Sequence, residues 1–154
     1  MGLSTEAEDV ARRVRQFCKL FVGGRGAITR MHQDNFRAHA WLSQVRGRKL
    51  YVLASPADSE AIWREFAPAG SRHGREAAGA HPELRFDPLD PRTRARCLHV
   101  GIRLYSVVLQ PGETIVAPDG WWHYAVSLTP TITLMCNFWD KRNLGGLHEC
   151  MGEK

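Results

Sequence analysis

Four short apolar runs, at residues 103–109, 114–117, 122–127 and 131–138, are cut apart by Gln110-Pro111-Gly112-Glu113, Pro118-Asp119-Gly120 and Thr129-Pro130. Runs of this length between Gly and Pro punctuation read as strands, and a series of them reads as a sandwich or a barrel. Residues 38–45 and 49–53 add two strands joined by a tight turn at Arg46-Gly47-Arg48. The expectation is one all-β domain with helical trimmings.

The trimmings have their own signals. Over residues 5–21, Ala7, Val10, Val14, Phe17 and Phe21 share one helical face opposite Arg12, Arg15 and Lys19. Thr5 and Glu8 form a capping box, and Gly23-Gly24 a stop. A shorter helix is expected from Ser55-Pro56 to Phe66, with Pro at its first position and Asp58 in its first turn. Residues 67–96, rich in Gly, Pro, Ala and charge, read as a long surface insertion. The expected single domain over 1–154 is therefore a helix and lead-in (1–26), a barrel (27–139) interrupted at about residues 55–102, and a tail (140–154).

Composition narrows the class. The chain has 154 residues, enough to bury about 68–70% of its unfolded surface in one core, and 44% of it is hydrophobic. No stretch reaches the roughly 20 apolar residues that cross a bilayer, and the polar start is not a secretory signal. Gly2 is followed by Glu6 where a myristoylation signal needs Ser or Thr. Cys18, Cys97, Cys136 and Cys150 are far apart without C-x-x-C spacing, which reads as reduced, mostly buried thiols in an intracellular protein. The net charge of +5 comes from scattered arginines. Without interleaved aromatics these read as solvated basic faces rather than a nucleic-acid surface.

The chemistry sits in a split trio. His32 and Asp34 lie two apart and share one side of an extended segment, and His123 ends the run Gly120-Trp121-Trp122-His123. Two imidazoles and one carboxylate are the facial triad of non-haem Fe(II) oxygenases. Spacing alone leaves a second reading open, in which His32 and Asp34 occupy a surface loop and His123 a packed strand. Lys49 opens a strand on the face of Tyr51 and Leu53; a lysine inside a small barrel needs an anion such as a dicarboxylate, whereas an edge lysine would reach water. Thr29 lies three residues before His32 and can offer a hydroxyl to the same anion. Asn137 is polar within an apolar run and needs a hydrogen-bond partner if buried. The other histidines have no partner at ligand spacing.

Together these residues resemble the JmjC family, the jelly-roll (cupin-like) Fe(II)- and 2-oxoglutarate-dependent oxygenases. The similarity spans residues 27–54 and 103–145. It rests on His32-Gln33-Asp34-Asn35-Phe36-Arg37, Trp41, Gly47-Arg48-Lys49, Pro111-Gly112-Glu113, Pro118, Gly120-Trp121-Trp122-His123 and Asn137-Phe138. The resemblance implies a double-stranded β-helix, Fe(II) on His32, Asp34 and His123, and 2-oxoglutarate on Lys49, with Thr29 and Asn137 as further contacts. It implies hydroxylation of a protein side chain, RNA being the second substrate class, with 2-oxoglutarate converted to succinate. The chain looks more like the small hydroxylases than the demethylases. Family members often supply a tyrosine to the co-substrate from a region before the first motif, and no tyrosine precedes His32 here. The competing readings are a non-catalytic jelly-roll binding module and a metal cupin that does not use 2-oxoglutarate.

Overall fold

The computed structural model describes residues 17–68 and 84–151. Eight strands form two four-stranded antiparallel sheets. They are β1 (Cys18–Gly23), β2 (Ile28–His32), β3 (His39–Arg46), β4 (Lys49–Ala54), β5 (Leu104–Leu109), β6 (Thr114–Ala117), β7 (Trp122–Ser127) and β8 (Thr131–Phe138). One sheet has the order β1-β8-β3-β6 and the other β2-β7-β4-β5. Apart from β4 and β5, consecutive strands alternate between the sheets, which is the winding of a jelly roll. The all-β expectation holds, and the last four strands begin and end within a residue of where the turn signals put them.

Alternation along the strands explains two apolar layers. Inward residues Ala40, Leu42, Tyr51, Leu53, Leu109, Ala117, Ala125 and Met135 fill the space between the sheets. The opposite residues of the second sheet, among them Val52, Ala54, Trp122, Tyr124 and Val126, form a second core under two helices, α1 (Ser59–Phe66) and α2 (Pro91–Val100). Strand β7 is consequently buried on both faces along its whole length. Trp122, 0% exposed, anchors the outer layer and donates through Nε1 to Ser59 at the start of α1, 2.8 Å away. The other sheet has no such cover among the described residues. Leu20, Val22, Val45 and Val116 stand exposed on it.

Five expectations are corrected. Residues 5–16 of the expected N-terminal helix lie outside the described residues, but its end is a strand. Cys18–Gly23 pairs with β8 from Cys18↔Cys136 to Gly23↔Thr131, because hydrogen bonding to a sheet edge outweighs a helical spacing of Phe17 and Phe21. The barrel thus begins at residue 18 rather than 27. Strands β3 and β4 do not form a hairpin: Gly47, at φ 75°, turns the chain from one sheet to the other. The expected surface insertion is partly core, since Leu84 and Phe86 are buried and α2 follows them. Asp90 caps α2 by accepting from the Arg92 N–H at 2.8 Å, Pro91 occupies its first turn, and Gly101 ends it in the left-handed conformation. Finally, Cys18 and Cys136 form a disulfide across β1 and β8, and only Cys97 is a described free thiol. The intracellular reading loses the support it drew from unpaired cysteines.

The short helix from Ser55-Pro56 to Phe66 is present, as a 3-10 turn at Pro56–Asp58 running into α1, with the Ser55 hydroxyl accepting from the Ala57 N–H. The tail ends in a third helix, α3 (Leu144–Met151).

Candidate metal centre and its anion cavity

Strand pairing brings the split trio together. In β2, Thr29 pairs with Ala125 and His32 with His123, so three residues of β2 span two of β7, a β-bulge. The bulge sets Thr29 and His32 on the same inner face although they are three apart, and Met31 turns into the outer core. A main-chain carbonyl within the bulge also serves the site. His32 donates from Nδ1 to the Arg30 carbonyl at 2.8 Å, and His123 does the same to the Trp121 carbonyl at 3.2 Å. Both rings are thereby held in the tautomer that leaves Nε2 free as a lone-pair donor, as metal-ligating imidazoles require.

Those nitrogens face one carboxylate. His32 Nε2 lies 4.0 Å from Asp34 Oδ1, and His123 Nε2 lies 4.0 Å from Asp34 Oδ2. The three ligand atoms all fall within 4.8 Å of one another, and the two imidazole rings are 4.1 Å apart. Asp34 Oδ2 is buried with no hydrogen-bond partner. It sits at the N-cap position of a 3-10 turn (Asn35–Arg37) yet makes no capping bond. Burial, and then the neighbouring His32, push the His123 imidazole down to about 4, with Asp34 opposing them. A neutral imidazole beside an unpaired carboxylate oxygen is the donor set a divalent cation needs, so the chemistry of these residues fits a metal.

From the trio a polar track runs along the inner face of the second sheet. The pairs His32–His123, Thr29–Ala125–Tyr51 and Lys49–Ser127 follow one another along β7, covering about 13 Å at 3.3 Å per residue. Lys49 is buried, and burial alone lowers its ammonium pKa. Its Nζ lies over the rings of Phe21 (5.6 Å) and Tyr51 (5.8 Å). Lys49 and Thr29 line one cavity of about 180 Å³, together with Phe21, Ser127 and Thr131. Among the described residues the buried ammonium is offset by aromatic faces, which makes the cavity a candidate anion site.

Asn137 stands apart from that cavity. It faces the interior from the other sheet, pairs with Ala40, and donates to the His39 carbonyl at 3.4 Å. Three residues escaped the sequence reading. Tyr51 was visible on Lys49's face; its hydroxyl is buried without a hydrogen bond of good geometry, and burial raises its pKa to about 12. Gln33, between the two motif residues, donates to the Gly120 carbonyl at 2.6 Å and so ties the first motif to the turn before His123. Ser127 carried no signal beyond its even spacing from His123.

The cupin-like domain family matches residues 4–144. Jumonji C domain-containing protein 5 of Drosophila melanogaster is 31% identical over 121 residues, which are 79% of this chain and 27% of that protein. HSPB1-associated protein 1 homolog of Danio rerio is 30% identical over 81% of this chain and 26% of its own length. The 2-oxoglutarate and iron-dependent oxygenase JMJD4 of Homo sapiens is 27% identical over 83% and 28%. The chain thus spans about a quarter of the length of the curated relatives it matches. With a family match over nearly its whole length and a jelly roll carrying a His-Asp-His cluster, the chain belongs to the cupin-like Jumonji C family.

Proposed function

We propose that this chain is an Fe(II)- and 2-oxoglutarate-dependent dioxygenase that hydroxylates a protein side chain. The observation that carries the reading is Asp34 Oδ2, buried and unpaired between two imidazoles whose Nε2 atoms are free. Relatives named as 2-oxoglutarate and iron-dependent oxygenases support it. Iron in such a site lets O₂ and 2-oxoglutarate convert a substrate C–H to C–OH, releasing succinate and CO₂.

The residues then have distinct tasks. His32, Asp34 and His123 hold the metal. Lys49 pairs with the distal carboxylate of 2-oxoglutarate, a charge-assisted contact in a site walled by Phe21 and Tyr51. Thr29 offers that carboxylate a hydroxyl from the same cavity, whereas Asn137, outside it, faces the interior from the opposite sheet. The apolar layer between the sheets excludes water. A protein substrate is favoured over RNA because one relative is named for association with a protein and the basic clusters carry no interleaved aromatics in the sequence.

The test is oxygen-dependent succinate formation from 2-oxoglutarate by the purified chain with Fe(II), compared with His32→Ala. Turnover that disappears in the variant is expected. Equal turnover in both would remove the triad, and metal-dependent binding without 2-oxoglutarate affinity would point to a cupin of other chemistry.

A further inference from the structure

The turn that follows Asp34 is strained. Phe36 (φ 57°) and Arg37 (φ 55°) both adopt the left-handed region, which any residue with a Cβ disfavours. Two consecutive residues of this kind persist only where their surroundings hold them. The holders come from the far end of the chain. Asn143, 2% exposed, donates from Nδ2 to the Arg37 carbonyl at 2.7 Å, and its Oδ1 accepts from the Asp140 N–H at 2.7 Å. Trp139 Nε1 donates to the Phe36 carbonyl at 3.0 Å. Gly146, in α3, lies so close that a Cβ there would overlap that same carbonyl.

We propose that Asn143 is a positioning residue for the metal centre: by gripping the Arg37 carbonyl it holds the left-handed turn that aims Asp34 at the two histidines. The inference rests on the metal reading above. No hydrogen bond among the described residues fixes Asp34 Oδ2, so the backbone on either side sets its direction. Upstream, β2 is secured by its pairing with β7. Downstream, the strained turn is secured by residues 139–146. A segment with no candidate ligand of its own thereby controls one ligand of three.

Titration of Co(II) into the purified chain, followed by its absorption bands, gives the affinity directly, and urea unfolding of the metal-free protein gives the global stability. Asn143→Ala is expected to weaken Co(II) binding about 10-fold, the usual effect of losing a group that orients a ligand. Gly146→Ala should weaken it too, although alanine favours the helix. Phe36→Gly, which suits a positive φ, should restore most of the affinity lost in Asn143→Ala. A purely structural role predicts that urea midpoint and affinity fall together and that Phe36→Gly restores neither; that result overturns the inference, as does wild-type affinity in both Asn143→Ala and Gly146→Ala. Absent Co(II) binding in the wild type, or binding unchanged by His32→Ala, would overturn the metal centre itself.

Discussion

At the residue scale, burial sorts the ionisable groups into those that work and those that are kept inert. Lys49 is buried beside two aromatic rings and a cavity, and its replacement by Ala should remove a contact worth about 1.5–3 kcal/mol. The dissociation constant for 2-oxoglutarate, measured by calorimetry on metal-loaded protein, should rise roughly 10- to 150-fold; an unchanged constant would place the anion elsewhere. Cys97 is the opposite case. Burial pushes its thiol up to about 11 from 9.0, so it should resist alkylation at pH 8 until urea is added. The sign for stability follows. The unfolded thiol ionises near its ordinary value while the folded one stays protonated, so this stability is present below pH 9 and is lost towards pH 11. Urea midpoints across that range should fall, and Cys97→Ala should flatten the fall. Both histidines, Asp34 and Lys49 were legible in the sequence because each belongs to a short motif. Asn143 was not, because its importance comes from a contact with Arg37, far away in sequence.

At the element scale, turns decide which sheet a strand joins. Two strands separated by Arg46-Gly47-Arg48 have the local look of a hairpin, and period-two patterning says nothing about the partner. The partner is set by β8 and β7, which lie 68 residues or more downstream of the residues they pair with. Gly47 is the pivot: its φ is 75°, and a Cβ there would overlap the Pro130 carbonyl. Gly47→Ala should therefore cost about 1–3 kcal/mol from backbone strain alone, and more from the overlap. Chemical denaturation checks it, and a loss below about 0.5 kcal/mol, the usual range of a neutral surface change, would mean that the corner relaxes freely. Helix α2 was legible in principle from Asp90-Pro91 and Gly101, but the Gly- and Pro-rich stretch before it masked the start. The opposite error at residues 17–21 concerns two aromatics at helical spacing, of which Phe21 lies in the edge strand and Phe17 just before it.

At the scale of the whole molecule, the first and last of the described strands pair with each other. β1 and β8 lie side by side in one sheet, and the Cys18–Cys136 disulfide joins residues 118 apart in sequence. A cross-link over so long a loop stabilises chiefly by limiting the unfolded chain, by about 2–5 kcal/mol. Reduction, or a Cys18→Ser replacement, should lower the urea midpoint accordingly, and intact mass should rise by two hydrogen atoms on reduction; an unaltered midpoint would mean that strand pairing alone secures β1. Sequence spacing could not reveal this bridge, since neither cysteine carries a motif and only the fold makes them neighbours. The topology that results has its own meaning. Residues 18–136 form a covalent ring, and Thr29, His32, Asp34, Lys49 and His123 all lie on it. A single peptide-bond cleavage anywhere on that ring linearises it without dividing the molecule, so the candidate ligands stay on one connected polymer under oxidising conditions and part company only after reduction.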